Sequence, residues 1–446
     1  MTLLSQAMES LLPFEEIQSH GMPASRSYFE VLYDSFTDEM LDLTDELSVV
    51  YFDDRPINPN GDEALLFLDH LGLKPTKKTK PTKKFPAGVR STAKDSIEHL
   101  RYLDGDAGRA MSLFFNWREI QHRRDAFCVP ILDSMGRHNL CDGSDDIHDI
   151  MGELKITRTT SRRPSMSKKP NEGVNLLNLP SRQSAGMIDG LNKRIRNGFI
   201  CPPGETLSAS DESQIELRLL AHFSQDELML NIYHTGGDIH ATTCERMFGI
   251  PPDQQDNDKH RKPAKNVNFM TGYGGGAHKL YTMLRQLNIN DYDERQCQKF
   301  LDTFYNTYPG VAIWKEEVLW QARRDGYVST YSGMRRYLPN LWSKDTAMRS
   351  KAEREAINHI IQGTAQDLIQ QSMAWIYQRI LRLRDTGAYV WLGLQLYDEL
   401  IYRCGLGVVD DVERIVIDGL TNHHGLDDAR VPILADSSRG RCWGEL

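Results

Sequence analysis

The sequence predicts an α+β fold. Apolar residues recur at helical spacing through 1–50, 92–135 and most of 226–345, and 346–384 reads as one long helix. Strand texture is confined to a strand–turn–helix passage at 199–225 and two short apolar strands at 389–404. These strands are not spread in regular βαβ alternation, and no internal repeat interrupts the pattern. At about 150 residues per domain, the 446-residue chain holds about three structural units.

Each stretch has a local reason. Residues 1–50 set acids between apolar groups at helical spacing. Lys74–Lys84 (KPTKKTKPTKK) carries three Thr and two Pro, which disfavour helix, so it is expected to be an exposed basic loop. Residues 155–182 are basic and rich in Ser, Pro and Asn, and read as irregular. Glycines interrupt the helical region 226–345.

Composition excludes several classes. With 40% hydrophobic and 26% charged residues, the chain is neither disordered nor collagen-like nor a disulfide scaffold. Seven cysteines without a CxxC pair imply free thiols in a reducing compartment. The sequence has no run of 18 apolar residues, and its start lacks a basic leader, so neither a membrane span nor a signal peptide is expected.

The net charge of −9, taken alone, argues against a nucleic-acid partner. Its distribution argues otherwise. Residues 1–70 hold 15 acids against two basic residues, which leaves a net of +4 for the rest. Residues 71–90 hold seven Lys/Arg and no acid, and residues 151–200 have a net of +7. The second stretch includes Arg162, Arg163, Lys168, Lys169, Arg182, Lys193, Arg194 and Arg196, charge suited to phosphate neutralisation or simply solvated.

Four constellations carry chemistry. A strand over 207–210 delivers Asp211 to its end, where a carboxylate can hold a divalent metal. Ser213 and Glu216 have capping-box spacing, which is their competing explanation. In LQLYDELIY, Asp398 and Glu399 interrupt an apolar run, either as a solvated hairpin tip or as a metal site shared with Asp211. Arg261, Lys265, Phe269 and Tyr273 recur every four residues, forming one helical stripe from cations to aromatics. That stripe fits a nucleoside triphosphate, with a solvated basic face and core aromatics as the alternative. Arg354, Asn358 and Gln362 repeat the spacing and suit minor-groove acceptors, or form a plain polar face.

Together these segments resemble family A DNA polymerases. DESQIELRLLAH is similar to their motif A, RKPAKNVNFMTGYG to motif B and LQLYDEL to motif C. TTSRRPS with NLLNLPSR, GDIHATT, TYPGV, GYVSTYSGMRRYLPN, EREAINHIIQGTAQDLI, the terminal CWGEL and the upstream LLPFEEIQSHGMP follow the family's order. The resemblance implies a right-hand fold with an antiparallel-sheet palm and largely helical thumb and fingers. It divides the chain into an N-terminal palm lead-in and thumb (1–150), palm with motif A (151–225), fingers with motif B (226–345) and palm with motif C (346–446).

The implied activity is template-directed addition of dNTPs to a primer 3′-OH with two Mg²⁺ ions, Mn²⁺ being able to substitute. Asp211, Asp398 and the backbone carbonyl of Glu212 would hold metal, and Glu399 would assist. Glu216 would be the steric gate against a ribose 2′-OH. Arg261 and Lys265 would hold the triphosphate, Lys265 also protonating pyrophosphate. Phe269, Tyr273, Gln214 and His240 would complete the nucleotide surface. Arg162, Arg182, Arg354, Asn358, Gln362 and Tyr397 would contact primer-template DNA.

Glu212 stands where the family usually has Tyr, Tyr397 where it has His, Lys262 where a second Arg is common and Ser161 where Gly is common. No catalytic carboxylate is lost. Because the resemblance begins near the start of the sequence, neither proofreading nor 5′ nuclease activity is expected in it. The expected protein is a cytoplasmic monomer of a bacterial or phage-infected cell, with a separate exonuclease or processivity partner. Two rivals are a single-subunit RNA polymerase, disfavoured by Glu216, and a DNA-binding scaffold without catalysis.

Overall fold

The computed structural model describes residues 11–80, 88–137, 146–155, 163–166, 173–179, 190–272, 274–287, 289 and 291–446. The chain forms two compact units, one of residues 24–148 and 179–199, the other of residues 1–23, 149–178 and 200–446.

In the first unit, helices Arg26–Tyr51 and Gly105–Arg123 pack together over a core that includes Leu47, Phe67 and Phe114. Ser25 caps the first helix by accepting from the Tyr28 amide. The basic stretch from Lys74 to Lys80 is irregular and largely exposed, as its Thr and Pro content predicts. Its continuation over 81–84 lies outside the described residues. Arg194 is committed internally, donating to Glu39 at 2.7 Å and lying over the Phe36 ring. Arg196 is buried.

The second unit is built on a four-stranded antiparallel sheet. Its strands are β1 (Glu205–Glu212), β2 (Val390–Leu396), β3 (Glu399–Gly405) and β4 (Ala435–Gly440), in the order β4-β1-β3-β2. The apolar run of β2 and β3 reflects cover from helices. Val390, Leu392, Leu400 and Tyr402 share one core with residues of α1 (Leu11–His20) and of later helices. The helical pattern of 1–50 breaks at Gly21, whose φ is 63° and where a Cβ would meet the Ile150 carbonyl oxygen at 2.2 Å. Only glycine fits there. Glu16 of α1 is buried, and it accepts from the Leu392 amide at 2.8 Å and from Arg384 at 2.8 Å, so its charge is paired.

Five more helices position the site. They are α2 (Ile215–Ser224), α3 (Ile239–Phe248), α4 (Lys262–Gly272), α5 (Pro309–Asp325) and α6 (Thr346–Arg384). A seventh, α7 (Val409–Asn422), packs on α6 and β1. The 39-residue α6 coincides with the predicted long helix, and Asp345 caps it by accepting from the Ala347 amide at 2.7 Å. Helices α2 to α6 share a second core, centred on residues such as Leu219, Val267, Phe304 and Ile361. Beneath β1, the Ser210 hydroxyl is satisfied by Tyr402 at 3.0 Å and Ser437 at 2.6 Å.

Among the described residues no helix is long and apolar enough to cross a membrane. The six described cysteines are buried and outside any disulfide, and Cys141 lies outside the described residues.

Candidate active site

The acidic centre is set by strand register. Asp211, at the end of β1, lies opposite Glu399 on β3 and Asp436 on β4. Leu396 pairs with Glu399, so Tyr397 and Asp398 form a two-residue turn between β2 and β3. The Glu212 amide donates to the Asp398 carbonyl at 3.2 Å. One end of the sheet therefore gathers carboxylates from three strands.

Their electrostatics follow from crowding. Loss of hydration, then the charges of Asp398, Glu399 and Asp436, pushes the Asp211 carboxyl up to about 7, although its side chain still reaches solvent. Burial likewise raises Asp398. Glu212 is inside the protein, 1% exposed, and neither of its carboxyl oxygens has a hydrogen-bond partner among the described residues. Burial first, then Asp398 and Asp211, drives it well above the usual carboxylate range.

Such a donor set suits a hard divalent cation, which would relieve the repulsion. Among the described residues no three His, Cys, Asp or Glu side chains close into a preformed cage. The fit therefore rests on oxygen chemistry and on register.

The capping box that is the competing explanation for Ser213 and Glu216 does not form at the start of α2. The Ser213 amide is taken by the Leu434 carbonyl at 2.8 Å, which extends strand pairing past this residue. The cap position passes to Gln214, at φ 55°, without a side-chain cap bond. The Gln214 side chain instead accepts from the Tyr233 hydroxyl at 3.2 Å. Glu216 is ion-paired with Arg163, whose guanidinium also lies 5.0 Å from the centre of the Tyr397 ring. Tyr397 itself is half exposed and adopts φ 62°, a left-handed conformation uncommon for an aromatic residue. Two glutamines support this turn. Gln395 donates to the Tyr397 carbonyl at 2.7 Å and to Gln366 of α6 at 3.1 Å.

The cationic stripe is only partly on one α-helix. Arg261 closes a π-type turn over Asn257–Arg261, while Lys265 and Phe269 lie on α4. Arg261 pairs with Asp238, which also caps α3 by accepting from the His240 amide at 2.8 Å and the Ala241 amide at 3.1 Å. Burial would raise the Asp238 carboxyl, but Arg261 and these amides outweigh it and hold it low. Lys265 is exposed and has no ion-pair partner among the described residues.

His240 is buried, 2.8 Å from the Asn268 amide nitrogen, with its ring 5.8 Å from that of Phe269. Burial, reinforced by Lys265 and Arg261, lowers it to about 4, so it is neutral at pH 7. At the far end of α4, half-buried Lys315 of α5 donates to the Thr271 carbonyl and the Tyr305 hydroxyl, each at 2.7 Å. Burial lowers this amine to about 8.

On α6, Arg354 is exposed while Asn358 and Gln362 are half-buried. Gly274, after α4, approaches Arg354 closely, since a Cβ there would lie 3.2 Å from the Arg354 side chain. Arg162, Arg182 and Tyr273 lie outside the described residues. Sequence reasoning missed Asp436 and Asn268, and gave Arg163 only a share in a general basic stretch. Asp436 sits in a polar strand without alternation, and Arg163 was overshadowed by its neighbour. Asn268 had a usable signal in its position one turn after Lys265, on the buried side of α4.

Carboxylates converge on an antiparallel sheet in the same unit as a cation-bearing helix, an arrangement whose chemistry suits phosphoryl transfer. The comparisons with known proteins place the chain more narrowly. The family model for DNA polymerase family A matches residues 26–445, and the chain belongs to that family.

Among its relatives, thermostable DNA polymerase I of Thermus aquaticus is 32% identical over 96% of this chain and 46% of that protein. The Thermus filiformis enzyme is 34% identical over 88% of this chain and 42% of its own length. The chain thus spans less than half the length of these curated relatives. The structure of the POL domain of Pol1 from M. smegmatis, in complex with DNA primer-template and dNTP, superposes with a TM-score of 0.79 at 26% identity. That likeness covers 98% of this chain and 70% of the other.

Proposed function

We propose that the chain is a DNA-templated DNA polymerase that adds dNTPs to a primer 3′-OH. The observation that carries this reading is the register placing Asp211 opposite Glu399, with Asp398 joined to the Glu212 backbone. In this reading, residues 151–225 and 346–446 are the palm, 226–345 the fingers, and 1–150 the lead-in and thumb.

Asp211, Asp398 and the Glu212 carbonyl would hold two Mg²⁺ ions, which when bound lower the pKa of an attacking hydroxyl and stabilise charge on the phosphates. The chain's own residues do the positioning. Arg261 and Lys265 bind the triphosphate, and Lys265 supplies the proton taken up by the leaving pyrophosphate. Phe269 packs beside the incoming nucleotide, and neutral His240 braces it from the buried side of α4. Glu216 fills the space a ribose 2′-OH would need. Arg354, Asn358 and Gln362 read the minor groove without base preference, and Tyr397 meets the primer end.

The test is primer extension with a labelled primer-template, Mg²⁺ and either dNTPs or rNTPs. Extension with dNTPs that is abolished by Asp211→Ala and by Asp398→Ala is expected. Near-normal extension by either variant, or a preference for rNTPs, overturns the reading.

A further inference from the structure

Arg163 has no role in the reading so far, yet it touches two of its functional groups. Its guanidinium pairs with the Glu216 carboxylate and lies 5.0 Å from the Tyr397 ring centre. Both members of the ion pair are largely withdrawn from water, at 20% and 11% side-chain exposure. A charge pair this shielded is not a screened surface contact.

The backbone of Arg163 is held as well. Pro164 restricts the residue before it to extended conformations. The next two residues, Ser165 and Met166, pair with Lys155 and Leu154, and Asn175 donates to the Met166 carbonyl at 3.0 Å. The guanidinium therefore projects from a position two residues before a paired strand, towards the first turn of α2.

Arg163 also opposes what burial does to the neighbouring acid. Burial raises the Glu216 carboxyl, and the Arg163 charge and hydrogen bond act against that rise. A planar, permanently charged guanidinium can hold a carboxylate and rest on an aromatic face at once, which lysine does less well.

We infer that Arg163 is a positioning residue for sugar selection, fixing the Glu216 carboxylate in the place where it excludes a 2′-OH and tying it to Tyr397 at the primer end. This rests on the polymerase reading. Released from Arg163, Glu216 would have other rotamers open to it, and a ribonucleotide would find room.

The test compares kcat and KM for dNTP and rNTP incorporation by the 446-residue chain and by Arg163→Leu, Arg163→Lys and Glu216→Ala, alone and combined. Arg163→Leu should raise rNTP use relative to dNTP use about tenfold, mainly through a lower rNTP KM, as expected for loss of a charge-assisted bond. Arg163→Lys should restore part of the discrimination. In the Glu216→Ala background, Arg163→Leu should add nothing further. An unchanged ratio in Arg163→Leu, or effects that multiply in the double variant, overturns the inference. Failure of the unmodified chain to extend with dNTPs would instead overturn the polymerase reading itself.

Discussion

The Glu212 amide donates to the Asp398 carbonyl at 3.2 Å, joining the end of β1 to the turn between β2 and β3 through their backbones. The acids nearest this bond repel one another, so the main chain and the core hold together what the side-chain charges push apart. Activity and stability should therefore diverge here.

Asp398→Asn should lower extension by about a thousandfold or more, as expected when transition-state charge stabilisation is lost. The same change removes a charge from a crowded site and should raise Tm by on the order of 1–3 °C without Mg²⁺. Thermal melts with and without Mg²⁺ check this. The unmodified chain should gain stability on adding the ion, and an Asp211→Asn, Asp398→Asn double variant should not.

Glu212→Met replaces a buried carboxyl, without a hydrogen-bond partner among the described residues, with an apolar side chain of similar length. It should stabilise the protein by about 1–3 kcal/mol in denaturant titration. Extension should stay within a few-fold of the original, because only the backbone carbonyl of this residue is proposed to act. A large loss of activity would assign the side chain a role.

His240 gives a pH signature. Its folded value is about 4 against an ordinary 6.5, so the unfolded chain binds this proton first as the pH falls. The sign is a loss of stability from about pH 6.5 down to about pH 4, reaching up to about 3 kcal/mol. His240→Gln should flatten this part of the stability–pH curve relative to the unmodified chain. Equal slopes for the two proteins would refute the buried neutral histidine.

Lys265→Ala and Arg261→Ala should separate in kinetics. Arg261 is anchored by Asp238, so its loss should appear chiefly as a dNTP KM raised about tenfold. Lys265, exposed and without an ion-pair partner among the described residues, is proposed to serve proton transfer, and its loss should lower kcat about a hundredfold. Steady-state measurements at saturating primer-template distinguish the two.

The sequence was readable where periodicity was strong. The helix at 346–384 coincides with α6, and the acids interrupting an apolar run coincide with the turn between β2 and β3. Asp211 was singled out because a carboxylate at a strand end needs a reason. The polar β4 segment (ADSSRG) gave no alternation, since an edge strand needs no buried face, and Asp436 was lost with it. Glu216 kept a capping box as its competing explanation, because spacing cannot show an ion-pair partner, Arg163, that lies 53 residues away in sequence. Spacing also could not show that Arg261 closes a π-type turn instead of lying on α4.

The strand order has a consequence for how the molecule is made. β1 lies between β3 and β4, whose facing residues come about 190 and 225 positions later in the chain. During synthesis β1 therefore waits with both edges bare, the condition under which strands pair with the wrong neighbour. The segment ETLSASDE is bounded by Glu205, Asp211 and Glu212, charges that discourage such pairing. The acids proposed to run the chemistry thus also act as chaperones of their own strand while it awaits its partners.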